Sequence, residues 1–284
     1  MNETFKPHVL ITGAASGIGK EIAHQYAEQG ARLTVVDFDA EALRSAAEDL
    51  RRDGTEINTI TADLREPQAP ASVIESAFAF GQVHVLINSA GVYPAVPLLN
   101  ITAEIWDAVQ SINVRAPQLL TVEFAKRMGN LGDRLPIGYP AVVNISSGAA
   151  LRARPGAAPY TTSKAALEMV TKSCALELGP VGIRVNAVAP GFVVVDSELN
   201  RLTDEYVSKV SANPLGRKGR PDDIARAVLW LASPAAEWIT GEILRVDGGS
   251  AAGALELPVH WPETRTEIDG EPTTRSATKA STNE

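Results

Sequence analysis

The chain has a single cysteine, Cys174, which excludes an internal disulfide and any cysteine-built metal cage and points to a reducing compartment. Its four histidines, His8, His24, His84 and His260, are scattered without metal-ligand spacing, so no metal is expected. Positive charge is in deficit: 34 acidic residues against 26 basic leave a net charge of -8, which argues against general affinity for nucleic acid or for an anionic membrane surface. No apolar run is long enough to cross a bilayer. Residues 1–6 are charged and lead straight into a short apolar strand, without a hydrophobic leader and cleavage site. A cytoplasmic protein with a small-molecule partner is therefore expected. Internal repeats are lacking too, and no linker divides residues 1–250, which are expected to form one domain.

Short β-branched runs alternate with helical patterns. The runs lie at residues 8–12, 32–37, 57–62, 84–88, 141–145, 184–188 and 243–246, and several are apolar at consecutive positions, as strands covered on both faces must be. Helical periodicity covers 17–28, 40–53, 70–80, 103–128, 160–178, 197–211 and 221–232. The alternation predicts an α/β fold, a doubly wound parallel sheet with helices on both faces, Rossmann-like and single-domain. Gly30 and Gly179 stand where helix ends favour a left-handed residue. Residues 129–140, rich in Gly and Pro, read as a surface loop. After Gly249 the chain turns polar, and residues 251–284 read as a C-terminal arm and tail. Leu255, Leu257, Val259 and Trp261 alternate at the strand period, so an ordered arm is expected there, whereas 263–284 has the composition of a disordered segment.

The first strand runs into Thr12-Gly13-Ala14-Ala15-Ser16-Gly17-Ile18-Gly19 and directly into a helix. Such a turn lets backbone approach a pyrophosphate, and the helix N-terminus supplies N–H donors and a favourable dipole. Its glycine spacing differs from the common dinucleotide fingerprint, and alone it would be only a flexible turn. Asp37, however, ends the second strand 18 residues after Gly19, close to the offset expected of a ribose-binding acid. Together they point to dinucleotide binding. Farther on, Tyr160 and Lys164 lie four apart in a helical pattern and share a face. An ammonium there favours the phenolate, so Tyr160 could exchange a proton with an alcohol or ketone near neutral pH. Ser147, at the end of the fifth strand, offers a hydroxyl to the reacting oxygen, although such a serine is often just a turn residue.

At this point the residues resemble those of the short-chain dehydrogenase/reductase family, in its compact single-domain branch. The glycine turn is followed in order by Asn88-Ser89-Ala90-Gly91, Asn144-Ile145-Ser146-Ser147, Tyr160-Thr161-Thr162-Ser163-Lys164 and Asn186-Ala187-Val188-Ala189-Pro190-Gly191. The similarity continues through Pro214-Leu215-Gly216-Arg217, Leu231-Ala232-Ser233, Ile239-Thr240-Gly241 and Val246-Asp247-Gly248-Gly249, covering about residues 6–249. The resemblance implies that Ser147 polarises the substrate oxygen, Tyr160 exchanges its proton, and Lys164 holds the nicotinamide ribose while lowering the tyrosine pKa. It places the fourth catalytic position at Asn113, interrupting a helix and anchoring a water that leads from the lysine to solvent. The tyrosine follows Ser147 by 13 residues, the family's spacing, which selects Ser147 over Ser146. For the cofactor, NAD, the resemblance implies contacts from Gly13, Ser16, Gly17, Ile18, Gly19, Asp37, Asp63, Leu64, Asn88, Ala90, Gly91, Tyr160, Lys164, Pro190, Gly191 and Val193. It also implies a homotetramer, with a dimer as the alternative, built partly through the helices carrying Asn113 and Tyr160.

Two departures stand out. Ser89 replaces the usual second asparagine, and Val195 stands where the family commonly has a threonine that binds the nicotinamide carboxamide. Valine cannot donate that bond, which leaves the backbone near Val193 or the side chains of Asp196 or Ser197 as substitutes. The substrate is expected between residues 92–97, 148–154 and a lid at about 192–213. Tyr93, Leu151 and Phe192 suit a hydrophobic or cyclic secondary alcohol or ketone. Arg152 and Arg154 are either solvated or bind a substrate carboxylate. Three readings result: an NAD-linked alcohol dehydrogenase, an NADP-linked ketone or ketoacyl reductase disfavoured by Asp37, and a non-catalytic dinucleotide-binding scaffold disfavoured by the intact Ser147, Tyr160 and Lys164.

Overall fold

A computed structural model of the protein describes residues 5–52, 54–129, 135–195, 207 and 212–254, together with the backbone of 264–266 and 272–274. Seven parallel strands form one sheet: β1 (His8–Thr12), β2 (Arg32–Asp37), β3 (Ile57–Thr61), β4 (Val85–Asn88), β5 (Ala141–Ile145), β6 (Arg184–Pro190) and β7 (Ile243–Val246), in the order β3-β2-β1-β4-β5-β6-β7. Every residue of β1, β4, β5 and β6 is buried. Successive side chains of one strand therefore enter opposite layers: Val9 and Ile11 pack with Ile22, Tyr26 and Val228, while Leu10 packs with Val73, Leu120 and Phe124. Each such aliphatic or phenyl side chain contributes on the order of 2 kcal/mol by leaving water.

The first layer is built by α1 (Gly17–Glu28), α2 (Ala40–Arg52) and α7 (Pro221–Ala232), the second by α3 (Ala69–Phe80), α5 (Ala116–Met128) and α6 (Ala158–Leu178). Between α4 (Ala103–Gln110) and α5 the helical pattern over 103–128 is interrupted where the resemblance put a break, at Asn113: Ser111–Arg115 widens into a π-turn centred on that residue. Helical periodicity is unchanged by one wider turn, so composition does not betray it. Parallel registry brings Thr12 beside Asn88 and Asn88 beside Asn144, so the carboxyl ends of β1, β4 and β5 open together where the strand order reverses.

Other differences have local causes. Gly30 reverses α1 at φ +73°, but Gly179 stays right-handed. The chain makes one more turn over Gly179–Val181, and the left-handed residue is Gly182, where Gly182 N–H bonds the Gly179 carbonyl and Ile183 N–H the Leu178 carbonyl. Within 263–284, expected to be without order, Thr264–Thr266 pairs antiparallel with Pro272–Thr274. Backbone pairing needs no apolar side chains, which is why polarity concealed it. The expected helix at 197–211, and with it Asp196, Ser197 and most of the lid, lies outside the described residues apart from helical Val207, as do Leu255, Leu257, Val259 and Trp261.

The amino ends of the strands hold two neutral histidines. His8 Nδ1 lies 3.0 Å from the Gly81 carbonyl and Nε2 2.8 Å from Thr34 Oγ1, while the His8 backbone N–H donates to His84 Nδ1 at 2.9 Å. Burial lowers both pKa values from 6.5 to about 4. Between those values the unfolded chain binds protons that the folded chain refuses, so stability is complete above about pH 6.5 and falls towards pH 4. Melting temperatures between about pH 7 and pH 5 should fall, with each histidine adding at most about 1.4 kcal/mol per pH unit. His84→Gln should flatten that fall; an unchanged slope would show that acid sensitivity arises elsewhere.

Candidate active site

The glycine turn is packed against the loop after β4. A Cβ on Gly13 would lie 2.8 Å from the Ala90 Cα, and one on Gly19 would collide with the Gly13 carbonyl oxygen, so neither position admits a side chain. Thr12 Oγ1 accepts from the Ser89 and Ala90 N–H groups, each at 3.2 Å. At the start of α1, Ser16 is the N-cap residue but makes no side-chain capping bond, and the first turn carries no acid. That leaves the amino end of α1 suited to an anion. Beside it, Asp37 Oδ2 accepts from Ala15 N–H at 3.0 Å and Oδ1 from Asp39 N–H at 3.2 Å, which fixes a carboxylate at the end of β2.

On α6, Lys164 is 4% exposed. Its Nζ donates to the Ile145 carbonyl at 2.8 Å and lies 5.7 Å from the Tyr160 ring centre. Burial lowers its pKa from 10.5 to about 8. Ser147 follows β5, and its Oγ accepts from Ala149 N–H at 3.1 Å, opening the turn Gly148–Ala150. Ser146 is bound differently: its Oγ donates to Glu168 at 3.0 Å. Asn113 is fully buried in the π-turn, accepting from Val92 N–H at 2.9 Å and donating to the Val92 carbonyl at 3.0 Å and to Ser163 Oγ at 2.9 Å. Its side chain thus clamps the loop that carries Tyr93.

A cavity of about 1020 Å³ lies among these parts, although Gly13, Ser16, Gly17, Gly19, Asp37, Ala90 and Asn113 are not on its described wall. Its wall includes Ser147, Tyr160 and Lys164 among the expected catalytic residues, and Ile18, Gly91, Pro190, Gly191 and Val193 among the expected cofactor residues. The expected substrate residues Tyr93, Arg152 and Phe192 also line it. Tyr93 stacks on Tyr160 at 4.5 Å between ring centres, and the Arg154 guanidinium stands 5.8 Å from the Tyr93 ring centre.

Several expected residues fall elsewhere. Leu151 is 44% exposed and lies outside the described wall, because the turn over Gly148–Ala150 carries it outward. The Asn88 side chain is buried and donates to Asn144, which donates in turn to Thr171 Oγ1, so it joins strand to strand and helix. Leu64 packs its side chain in the second core layer, and Asp63 pairs with Arg65. Val195, by contrast, lines the cavity and also packs on the glycine turn, its Cγ1 3.3 Å from where a Gly17 Cβ would sit.

Sequence reasoning overlooked Ser163, Glu168 and Asp247. Ser163 Oγ donates to the Tyr160 carbonyl at 2.7 Å while accepting from Asn113, tying the tyrosine's helix to the π-turn. Asp247 binds Gly249 N–H, Ser250 Oγ and Ala251 N–H, and so shapes the last described stretch of the cavity wall. Glu168 could have been noticed as the next residue after Tyr160 and Lys164 at a spacing of four. Among the described residues, no group of three His, Cys, Asp or Glu side chains is placed to hold a metal, and no helix is long and apolar enough to cross a membrane.

Comparison with known proteins agrees with this geometry. Residues 13–251 match the family model described as enoyl-(acyl carrier protein) reductase. The chain is 36% identical over 244 residues to galactitol 2-dehydrogenase (L-tagatose-forming) of Cereibacter sphaeroides, covering 84% of this chain and 92% of that one. It is 32% identical over 246 residues to gluconate 5-dehydrogenase of Gluconobacter oxydans, covering 84% and 93%. A solved structure from Beutenbergia cavernae, described as a candidate NAD(P)-dependent gluconate 5-dehydrogenase with NADP bound at low occupancy, superposes with a TM-score of 0.80 at 32% identity over 87% of this chain and 97% of that one. The chain belongs to the short-chain dehydrogenase/reductase family and is a nicotinamide-dinucleotide-binding oxidoreductase that interconverts alcohols and ketones.

Proposed function

We propose that the protein is an NAD-dependent dehydrogenase and ketone reductase for secondary alcohols with an apolar or cyclic body, working with Tyr160 as general acid/base. The observation that carries this reading is the stack of Tyr160 on the buried Lys164 ammonium in one cavity with Ser147. The residues fit the cofactor: the uncapped amino end of α1 suits its pyrophosphate, Asp37 its adenosine ribose, and Lys164 its nicotinamide ribose. When bound, the nicotinamide supplies the acceptor or donor of the hydride.

The chain's own residues handle the proton. In oxidation, Ser147 Oγ donates a hydrogen bond to the alcohol oxygen while the Tyr160 phenolate takes the hydroxyl proton; in reduction, the Tyr160 phenol returns it to the ketone oxygen. Lys164, a cation beside the ring, favours the phenolate. Asn113 acts as a positioning residue that fixes the Val92 backbone and, through Ser163, the start of α6. We further propose a homotetramer in the cytoplasm. Met169 and Leu176 on α6 and Trp230 on α7 are exposed apolar side chains suited to subunit contacts, and a lone cysteine suits a reducing compartment. The competing reading, an NADP-linked reductase, draws on the NADP in the Beutenbergia structure but places a phosphate against Asp37.

Tyr160→Phe removes the transferable proton and little else, so turnover should fall by about 10²- to 10⁴-fold with NADH affinity nearly unchanged. Near-normal turnover would overturn the mechanism. Lys164→Met should lower both cofactor affinity and rate while raising the melting temperature of the cofactor-free protein. Burying the ammonium holds its pKa below the unfolded value, so below about pH 8 the charge opposes folding, by about 3 kcal/mol. A destabilised Lys164→Met protein would show that the ammonium is held by more than its bond to Ile145.

Cofactor choice follows from Asp37. A 2′-phosphate about 4 Å away would repel its carboxylate by roughly 4 kcal/mol at an effective dielectric of 20. Half of that, about 2 kcal/mol, still gives a roughly thirtyfold preference for NAD. Comparing kcat/KM for NAD and NADP in the wild type and in Asp37→Ala should show this preference narrowing. Equal use of both cofactors by the wild type, or an unchanged ratio in the variant, would remove Asp37 from the role.

A further inference from the structure

The cavity wall has an electrostatic character opposite to that of the whole chain. The net charge is -8, yet the described wall carries four cations, Arg152, Arg154, Lys164 and Lys218, and one acid, Asp247. The carboxylate of Asp247 is already engaged by two backbone N–H groups and the Ser250 hydroxyl. Lys164 is buried behind Tyr160 and serves the chemistry there. Arg154 is stacked over Tyr93, which in turn stacks on Tyr160, so a cation stands over the outer face of the aromatic pair.

Arg152 differs from these in how it is held. Its Nη2 donates to the Ser250 carbonyl at 2.8 Å, a neutral acceptor that fixes the guanidinium without discharging it. This ties residues 148–154, which start beside Ser147, to the turn after β7, and both segments line the cavity. A guanidinium fixed in this way keeps the rest of its planar fork for a second acceptor, and that fork matches a carboxylate. It belongs to the segment following Ser147, whereas the pyrophosphate end of the cavity belongs to the glycine turn. The same wall also carries Tyr93, Ala149, Ala153 and Phe192, an apolar surface for the body of a small molecule.

We propose that Arg152 is a specificity-determining residue that binds a carboxylate of the substrate, so that the enzyme acts on hydroxy acids and the corresponding keto acids. This rests on the oxidoreductase reading above and adds the substrate class. The apolar body lies along Tyr93 and Phe192, the hydroxyl meets Tyr160 and Ser147, and the carboxylate is held at the Ser250 turn. A charge-assisted bond of this kind, made by an exposed guanidinium, separates an acid from its ester by about tenfold.

Mandelate and β-hydroxybutyrate, each beside its methyl ester, serve as probes, with cyclohexanol as a neutral alcohol. Turnover with NAD is measured, as is binding to the NADH-loaded enzyme by calorimetry, for the wild type, Arg152→Gln and Arg152→Lys. The expected result is an acid preferred over its ester about tenfold in both measurements, a preference lost in Arg152→Gln with the ester unaffected and partly restored in Arg152→Lys. Turnover of cyclohexanol or the esters with no preference for the acids overturns the carboxylate site and leaves the oxidoreductase reading standing. Arg152-dependent binding of the acids with no turnover of any probe does the reverse. An equal loss of acid and ester in Arg152→Gln, or no binding of either acid to the wild type, also overturns the proposal.

Discussion

The bond from the Lys164 ammonium to the Ile145 carbonyl is the contact on which the site depends. An ammonium almost without access to water is costly, and the fold meets that cost with a carbonyl at the last position of a central strand. The same bond sets the height of α6 against the sheet. Since Tyr160 stands one helical turn before Lys164, fixing the lysine also places the phenol over the strand ends. Ser147 lies two residues beyond Ile145, on the chain that leaves the strand carrying the acceptor. One hydrogen bond thus relates three side chains from two elements.

Around it lies a framework of buried polar contacts. Asn88, Asn144 and Thr171 run from β4 through β5 to α6, and Asn113, Ser163 and the Val92 backbone join the π-turn, the start of α6 and the loop under Tyr93. Buried polar contacts of this kind make alternative packings costly, since any slip strands further donors or acceptors. Arg184 does the same at the opposite face, donating to the carbonyls of Leu231, Ala232 and Ser233 at the end of α7 and to Gly138 and Ile239. The active site is held from behind by polar chemistry within an apolar core.

What was legible in the sequence follows from which forces act locally. Consecutive apolar positions such as Val9, Leu10 and Ile11 announce a strand covered on both faces, and the spacing of Tyr160 and Lys164 announces a shared helical face. The glycine turn was readable because Gly13 and Gly19 answer a steric demand at a fixed place in the chain. The π-turn was unreadable from periodicity, for one extra residue in a turn leaves the apolar pattern almost intact; only the family resemblance at Asn113 indicated an interruption there. Ser163, Glu168 and Asp247 were overlooked for a different reason: each acquires its role from a partner distant in the chain or on a turn that exists only after folding. Leu151 was misjudged because residues of one loop diverge, so that Arg152 lines the cavity while its neighbour faces solvent.

The two ends of the sheet impose a common pH preference on folding that conflicts with the chemistry. At the amino end, His8 and His84 resist protonation until about pH 4, so stability rises with pH between about 4 and 6.5. At the carboxyl end, Lys164 releases its proton near pH 8 in the folded protein and only near 10.5 in the unfolded chain. Through that interval too the unfolded state binds more protons, and stability rises again. Yet the ammonium proposed to aid Tyr160 exists mainly below about pH 8. The cofactor-free protein is therefore most stable where this buried cation is discharged. The same cation that prepares the tyrosine makes the empty fold less stable, which is how a strained group persists at a site whose stability is completed by what it binds.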